Sequence, residues 1–155
     1  MAIHAGRRAV GTLAVALVGA AAVAAFDAPS PLEGKVLTLA AALKTRGIPV
    51  HPDPEPIAKQ VVLLAADGAI IPLLSDEASR ALFLDDRLRD RPVQIHAKRY
   101  PGLPYAQVLS FLVEHEGRFQ SAGYECDVCV IRVRYPQICP CCQGEMVLRM
   151  KPDPR

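Results

Sequence analysis

Five cysteines fall between Cys126 and Cys142 of a 155-residue chain, and none occurs before them. Four of these, Cys126, Cys129, Cys139 and Cys142, space as C-x2-C-x9-C-x2-C. A two-residue gap lets both sulfurs of a pair turn toward one ion while backbone N–H groups point at the thiolates. Two such knuckles complete a tetrahedron, with bonds of about 2.3 Å if the ion is zinc. Cys141 would chelate through a C-x-C turn, a poorer geometry, so it is expected to be a spare thiol beside the site. Four thiolates on Zn²⁺ carry a local charge of −2, which Arg132 and Arg134 in the connecting segment are expected to offset. The same sulfurs could bind iron, or pair as Cys126–Cys129 and Cys139–Cys142 disulfides in an oxidising compartment. Zinc would guard the thiolates, since structural zinc binds zinc-finger peptides with about 10–16 kcal/mol. A c-type haem is not expected, because His follows neither C-x2-C.

The flanking residues supply a frame for this site. Val130 to Arg134 alternates as a first hairpin strand, Tyr135-Pro136 turns it, and Met146 to Arg149 is the expected return. Tyr124 precedes the first pair, and the second reads Cys139-Pro140-x-Cys142. With these features, residues 122–150 resemble a zinc ribbon of the rubredoxin-like type. The resemblance implies a structural four-cysteine metal site, or a rubredoxin-like iron centre for electron transfer. Val130 and Gln143 stand where that family commonly has glycine. The chain has no Trp, and Phe119 is the nearest Phe. Both departures favour a structural ion. A closed tetrathiolate has no open position for zinc hydrolysis, so no enzyme activity is expected.

The elements that must carry this site read as mainly β. Gly34 to Leu37 suits a strand, Thr38 a helix N-cap, Leu39 to Arg46 a two-turn helix and Gly47 its end. His51 to Pro56 alternates proline with polar residues as a stiff loop. Gln60 to Ala66 and Ala69 to Leu74 flank the hairpin turn Asp67-Gly68, with Pro72 placing the return at an edge. Ser75 is the expected cap of a helix reaching about Leu84. Asp85 to Arg91 interleaves Asp85, Asp86 and Asp90 with three arginines, which suits a solvated, self-neutralised loop. Val93, Ile95 and Ala97 share one face of a strand over Pro92 to Arg99. Strict alternation in Tyr105 to His115 puts Val108 and Leu112 opposite Leu109 and Val113. The order strand, strand, helix, strand, strand over residues 34–118 resembles the oligonucleotide/oligosaccharide-binding (OB) fold, a small closed β-barrel. The expected class is therefore mainly β (α+β): residues 1–27 a targeting segment, 28–33 a spacer, 34–118 an OB-like barrel and 122–150 the ribbon.

Composition and the N-terminus narrow the function. Hydrophobic residues make up 51% and charged residues 22%, which argues against a disordered chain. Ala9 to Phe26 runs eighteen residues without a charge, preceded by Arg7 and Arg8. As a helix it would span about 27 Å, enough for a bilayer, and the positive-inside rule puts residues 28–155 on the extracytoplasmic side. It reads either as an uncleaved membrane anchor or as a signal peptide cut near Ala22-Val23-Ala24. The net charge is +2, and residues 28–117 hold ten Lys/Arg against eleven Asp/Glu, so no nucleic-acid partner is expected. His4, His51, His96 and His115 are scattered, and Glu114-His115-Glu116 cannot converge from one strand. Tyr100 and Tyr105 bracket a turn as an exposed aromatic edge or as packing. Phosphate-loop, G-x-S-x-G and H-E-x-x-H motifs are absent. The expected function is a non-enzymatic binding or scaffold module, exported and membrane-anchored, suited to a protein partner in an envelope assembly. A thiol–disulfide or rubredoxin-like redox protein is the alternative.

Overall fold

A computed structural model describes residues 31–50 and 55–152. The expected N-terminal hydrophobic helix and the targeting segment 1–27 lie outside the described residues, as does His51. Among the described residues no helix is long and apolar enough to cross a membrane.

The chain is mainly β. In order it forms β1 (Leu32–Thr38), α1 (Leu39–Thr45), α2 (Glu55–Ala58), β2 (Val61–Ala65), β3 (Ile70–Pro72) and α3 (Arg80–Leu84). A 3-10 turn at Asp86–Leu88 then leads into β4 (Pro92–Arg99), β5 (Ala106–His115), β6 (Arg118–Glu125), β7 (Arg132–Val133) and β8 (Val147–Pro152). All eight strands join one antiparallel sheet in the order β3-β2-β1-β4-β5-β6-β7, with β8 on β6. One parallel bridge, Leu73 to Ala106, also brings the chain after β3 to the start of β5, where the Leu74 N–H donates to the Ala106 carbonyl at 3.0 Å.

Local chemistry explains the first elements. Thr38 Oγ1 accepts the Ala41 N–H at 3.2 Å, capping α1. Gly47, at φ +66°, ends that helix in the left-handed conformation. The β2–β3 hairpin turns at Asp67-Gly68, where Asp67 Oδ1 accepts the Ala69 N–H. Gly34 sits in β1 between β2 and β4, and a Cβ there would lie 2.2 Å from the Leu64 carbonyl oxygen. The third helix starts later than its polar lead suggests. Ser79, not Ser75, occupies its N-cap, and the Ser79 hydroxyl donates to the Leu74 carbonyl at 2.6 Å.

The long strand β5 departs from strict alternation. Its pairing with β4 shifts between His96 and Ala97, so Leu109 is an extra residue between Val108 and Ser110. The bulge flips the alternation. Val108 and Val113 both enter the core, five residues apart, while Leu109 is 51% exposed. Glu116 and Gly117, both at positive φ, then form a two-residue turn into β6.

Strand β6 carries the sheet into the cysteine region. Its first residues pair with β5, its last two with β7, and β8 lies along its other edge from Gln120 to Glu125. The expected hairpin between Val130–Arg134 and Met146–Arg149 is therefore corrected: both segments pair with β6 instead. The strand from the β5 hairpin already fills the middle position, so β7 and β8 flank it. One continuous core joins Val36, Leu63, Leu82 and Ile95 to Tyr124, Cys126, Cys139 and Met146. A smaller cluster of Leu37, Ala42 and Val62 seats α1 on the sheet.

Candidate metal centre

Each cysteine pair sits in the same backbone loop. In the first, the Val130 N–H donates to the Cys126 carbonyl at 2.8 Å and the Cys126 N–H to the Ile131 carbonyl at 3.0 Å. In the second, the Gln143 N–H donates to the Cys139 carbonyl at 3.0 Å and the Cys139 N–H to the Gly144 carbonyl at 2.9 Å. The residue closing each loop is left-handed, Val130 at φ +57° and Gln143 at +59°. These are the two positions where the resembled family commonly has glycine. The left-handed turn is thus made here with ordinary side chains, and Val130, being β-branched, is the more strained.

The two loops face each other. The sulfurs of Cys126, Cys129, Cys139 and Cys142 all lie within 4.8 Å of one another, and Cys126 and Cys142 approach to 3.5 Å. Four thiolates at about 2.3 Å from a tetrahedral ion would stand roughly 3.8 Å apart, so the donor set fits one metal ion with little movement. Cys126 and Cys139 are buried, and Cys142 is exposed. Cys141 is also exposed and falls outside the group of four.

The protons on these sulfurs are unequal. Backbone N–H groups of Cys142 and Cys141 point at the Cys139 sulfur and bring its pKa down to about 7. Cys129 is pushed above the ordinary thiol range, chiefly by the neighbouring Cys141 sulfur and then by Cys142. In addition, the Cys129 N–H donates to the Cys126 sulfur at 3.4 Å. A metal ion would therefore enter by displacing protons that the cluster holds in common.

The charged neighbours of the loops are paired with one another. Arg132 faces Glu125 at 3.6 Å and lies across Gly123, where a Cβ would stand 2.4 Å from its Nε. Lys151 also binds Glu125, and Arg149 holds Asp127 at 2.8 Å. Arg134 lines a cleft with Phe111 and Ala122 instead. Tyr135, next to it, receives the Arg80 guanidinium 4.9 Å over its ring.

A second polar cluster locks the metal loops to the rest of the sheet, and sequence reasoning missed it. Tyr124 is fully buried, and its hydroxyl donates to Asp85 Oδ2 at 2.6 Å. Arg87 clasps the same carboxylate through Nε and Nη2, at 2.9 and 2.7 Å, and donates its backbone N–H to Oδ1 at 3.0 Å. Burial acts to raise the Asp85 carboxyl, but the bonds from Arg87 and Tyr124 outweigh it and leave the pKa below the ordinary value. Tyr124 is pushed up by burial and by that carboxylate. The expected solvated loop at 85–91 is corrected accordingly: Asp85 is only 7% exposed. Asp85 with Arg87 and Asp86 with Arg89 neutralise each other within the run as expected, whereas Asp90 pairs outside it with Lys35 of β1. The one local signal was the aromatic two residues before the first C-x2-C, and its partner lies 39 residues away.

No protein-family model matches this chain, and no curated protein or solved structure matches it either. The four-cysteine cluster itself suggests a structural metal site.

Proposed function

We propose that this chain is an exported, membrane-anchored, non-enzymatic binding or scaffold module whose four-cysteine unit holds a structural zinc ion. The observation that carries the metal reading is the convergence of Cys126, Cys129, Cys139 and Cys142 from two matched loops. Zinc rather than iron is favoured by the missing aromatic cover over the knuckles: Val128 is 81% and Val130 84% exposed. Beyond Glu125 the described chain forms only two short strands and the two loops, and an ion would bind the loops together where apolar packing is thin. Arg132 is paired with Glu125 and Arg134 lines the cleft beside Phe111, so each would act on the site only through its field.

In the same reading, residues 34–118 form an OB-like barrel. Support comes from the path β3-β2-β1-β4-β5 and from the Leu73–Ala106 bridge, which joins the two ends of that path. Export and anchoring rest on the uncharged run Ala9 to Phe26 behind Arg7 and Arg8. A barrel of this kind carries many functions on one frame and names none by itself, so the binding role has to be tested at the surface.

Thermal unfolding of the full chain with and without a strong chelator tests the metal reading. A structural ion predicts a marked fall in the melting temperature on chelation, and the same fall in Cys126→Ser without chelator. Equal melting of all three samples would overturn it. A red protein with visible charge-transfer bands would replace zinc by iron.

A further inference from the structure

We propose that the β4–β5 hairpin tip, Lys98 to Tyr105, is a membrane-surface contact that lays its aromatic and aliphatic side chains among anionic lipid headgroups. The inference rests on the reading of Ala9 to Phe26 as a membrane anchor and identifies the face that the anchor turns to the bilayer.

Strand register sets the direction. Gly34 pairs with Val93 and Leu32 with Ile95, so each step back along β1 moves one residue forward along β4, toward Lys98 and Arg99. The chain therefore enters the sheet from the end that carries this hairpin. Ile95 to Lys98 is three steps of strand, so the tip begins about 10 Å beyond Leu32. Asp27 to Pro31 is five residues, with a reach of at most about 18 Å. An anchor ending at Phe26 would therefore keep a bilayer within reach of the tip.

The tip has the chemistry of such a surface. Leu103 is 58% and Tyr105 39% exposed. Lys98 stands 4.8 Å over the Tyr100 ring, and Tyr100 donates its hydroxyl to Gln107 Oε1 at 2.6 Å, so the ring and cation are held as one unit. Pro101-Gly102 turns the tip, with Gly102 at φ +78°. Lys98 and Arg99 are exposed, and neither makes an ion pair with a described carboxylate. Residues 92–113 contain no acid at all. Amphipathic rings beside exposed cations that form no ion pair with a described carboxylate suit the headgroup region of a bilayer that contains anionic lipid. In the neighbouring β2–β3 turn, Asp67 accepts the Ala69 N–H, and the Arg46 guanidinium lies against Gly68.

The absence of Trp makes the test direct. Leu103→Trp places one tryptophan at the tip of the full chain. Phe119→Trp places one at the far end of β5, where Phe119 pairs with Glu114. Each variant is incorporated into vesicles of phosphatidylcholine and phosphatidylglycerol with brominated acyl chains, and flotation is recorded with emission. The account predicts that both variants float, and that only Leu103→Trp shifts to the blue and loses emission to the bromolipid. Adding Lys98→Glu and Arg99→Glu to Leu103→Trp restores that emission while flotation persists. Floating protein with no quenching at Leu103→Trp, or equal quenching at both positions, overturns the proposed surface and leaves the anchor standing. Failure to float overturns the anchor and this surface together.

Discussion

Replacing Tyr124 by Phe removes one oxygen from the junction between the metal loops and the rest of the sheet. The lost bond is a buried O–H to carboxylate contact of 2.6 Å. Hydrogen bonds to charged groups contribute about 1.5–3 kcal/mol. Asp85 Oδ2 keeps the Arg87 Nη2 contact at 2.7 Å, so the carboxylate is not orphaned. The cost therefore falls at the lower end, about 1.5–2 kcal/mol, a factor of roughly 10–30 in the unfolding equilibrium. Urea unfolding at pH 7 with metal present, followed by circular dichroism, reads this directly. The double-mutant cycle with Asp85→Asn should give a coupling energy above about 0.5 kcal/mol, because the two groups touch. The single change to Asn leaves Arg87 without its anionic partner and should cost more than Tyr124→Phe. A Tyr124→Phe variant within about 0.5 kcal/mol of the parent, the range of neutral surface changes, would refute the bond as a structural tie.

Other perturbations test other parts of the account. Gly34→Ala should destabilise by about 2–4 kcal/mol, since its Cβ would meet the backbone of β2 rather than a flexible side chain; an unchanged melting temperature would show that β1 and β2 are farther apart. Val130→Gly should stabilise by about 0.5–1 kcal/mol, because relief of left-handed strain exceeds the entropy cost of glycine and an exposed side chain gives up little packing. A lower melting temperature for that variant would contradict the loop geometry. Metal affinity should fall with pH, since Cys129 and Cys142 are both held above the ordinary thiol value and must lose their protons to the metal. With at least two protons displaced, competition with a chelator should weaken about 100-fold or more per unit between pH 7 and 6; a loss under tenfold would mean that fewer thiolates bind.

Local signals were the legible part of this fold. Thr38 caps its helix, Asp67-Gly68 turns its hairpin, and Val93, Ile95 and Ala97 alternate into the core, because each depends on neighbours within a few residues. The spacing of the cysteines likewise foretold their convergence, since the knuckle is a local turn. Strand β6 was not legible. Its sequence, RFQSAGYE, is small and polar, and it is a strand because neighbours pair with it on both edges. Strand β8 is foreshadowed by the expected return at Met146 to Arg149, but its partner is β6 rather than Val130 to Arg134. The bulge at Leu109 reversed the faces of half a strand through a register shift that no period reveals. Asp85 looked like part of a solvated charge run because its partner, Tyr124, lies in another element. Distance along the chain, rather than chemistry, hid these features.

The central claim is a single metal ion held by four cysteines. Elemental analysis of the full chain, purified without added metal, combined with a free-thiol count under native conditions, tests it most directly. The account predicts one zinc per chain and one readily titrated thiol, that of Cys141, with the remaining four thiols appearing only after chelation. No metal, with few thiols after unfolding, would contradict it by turning the same cysteines into disulfides.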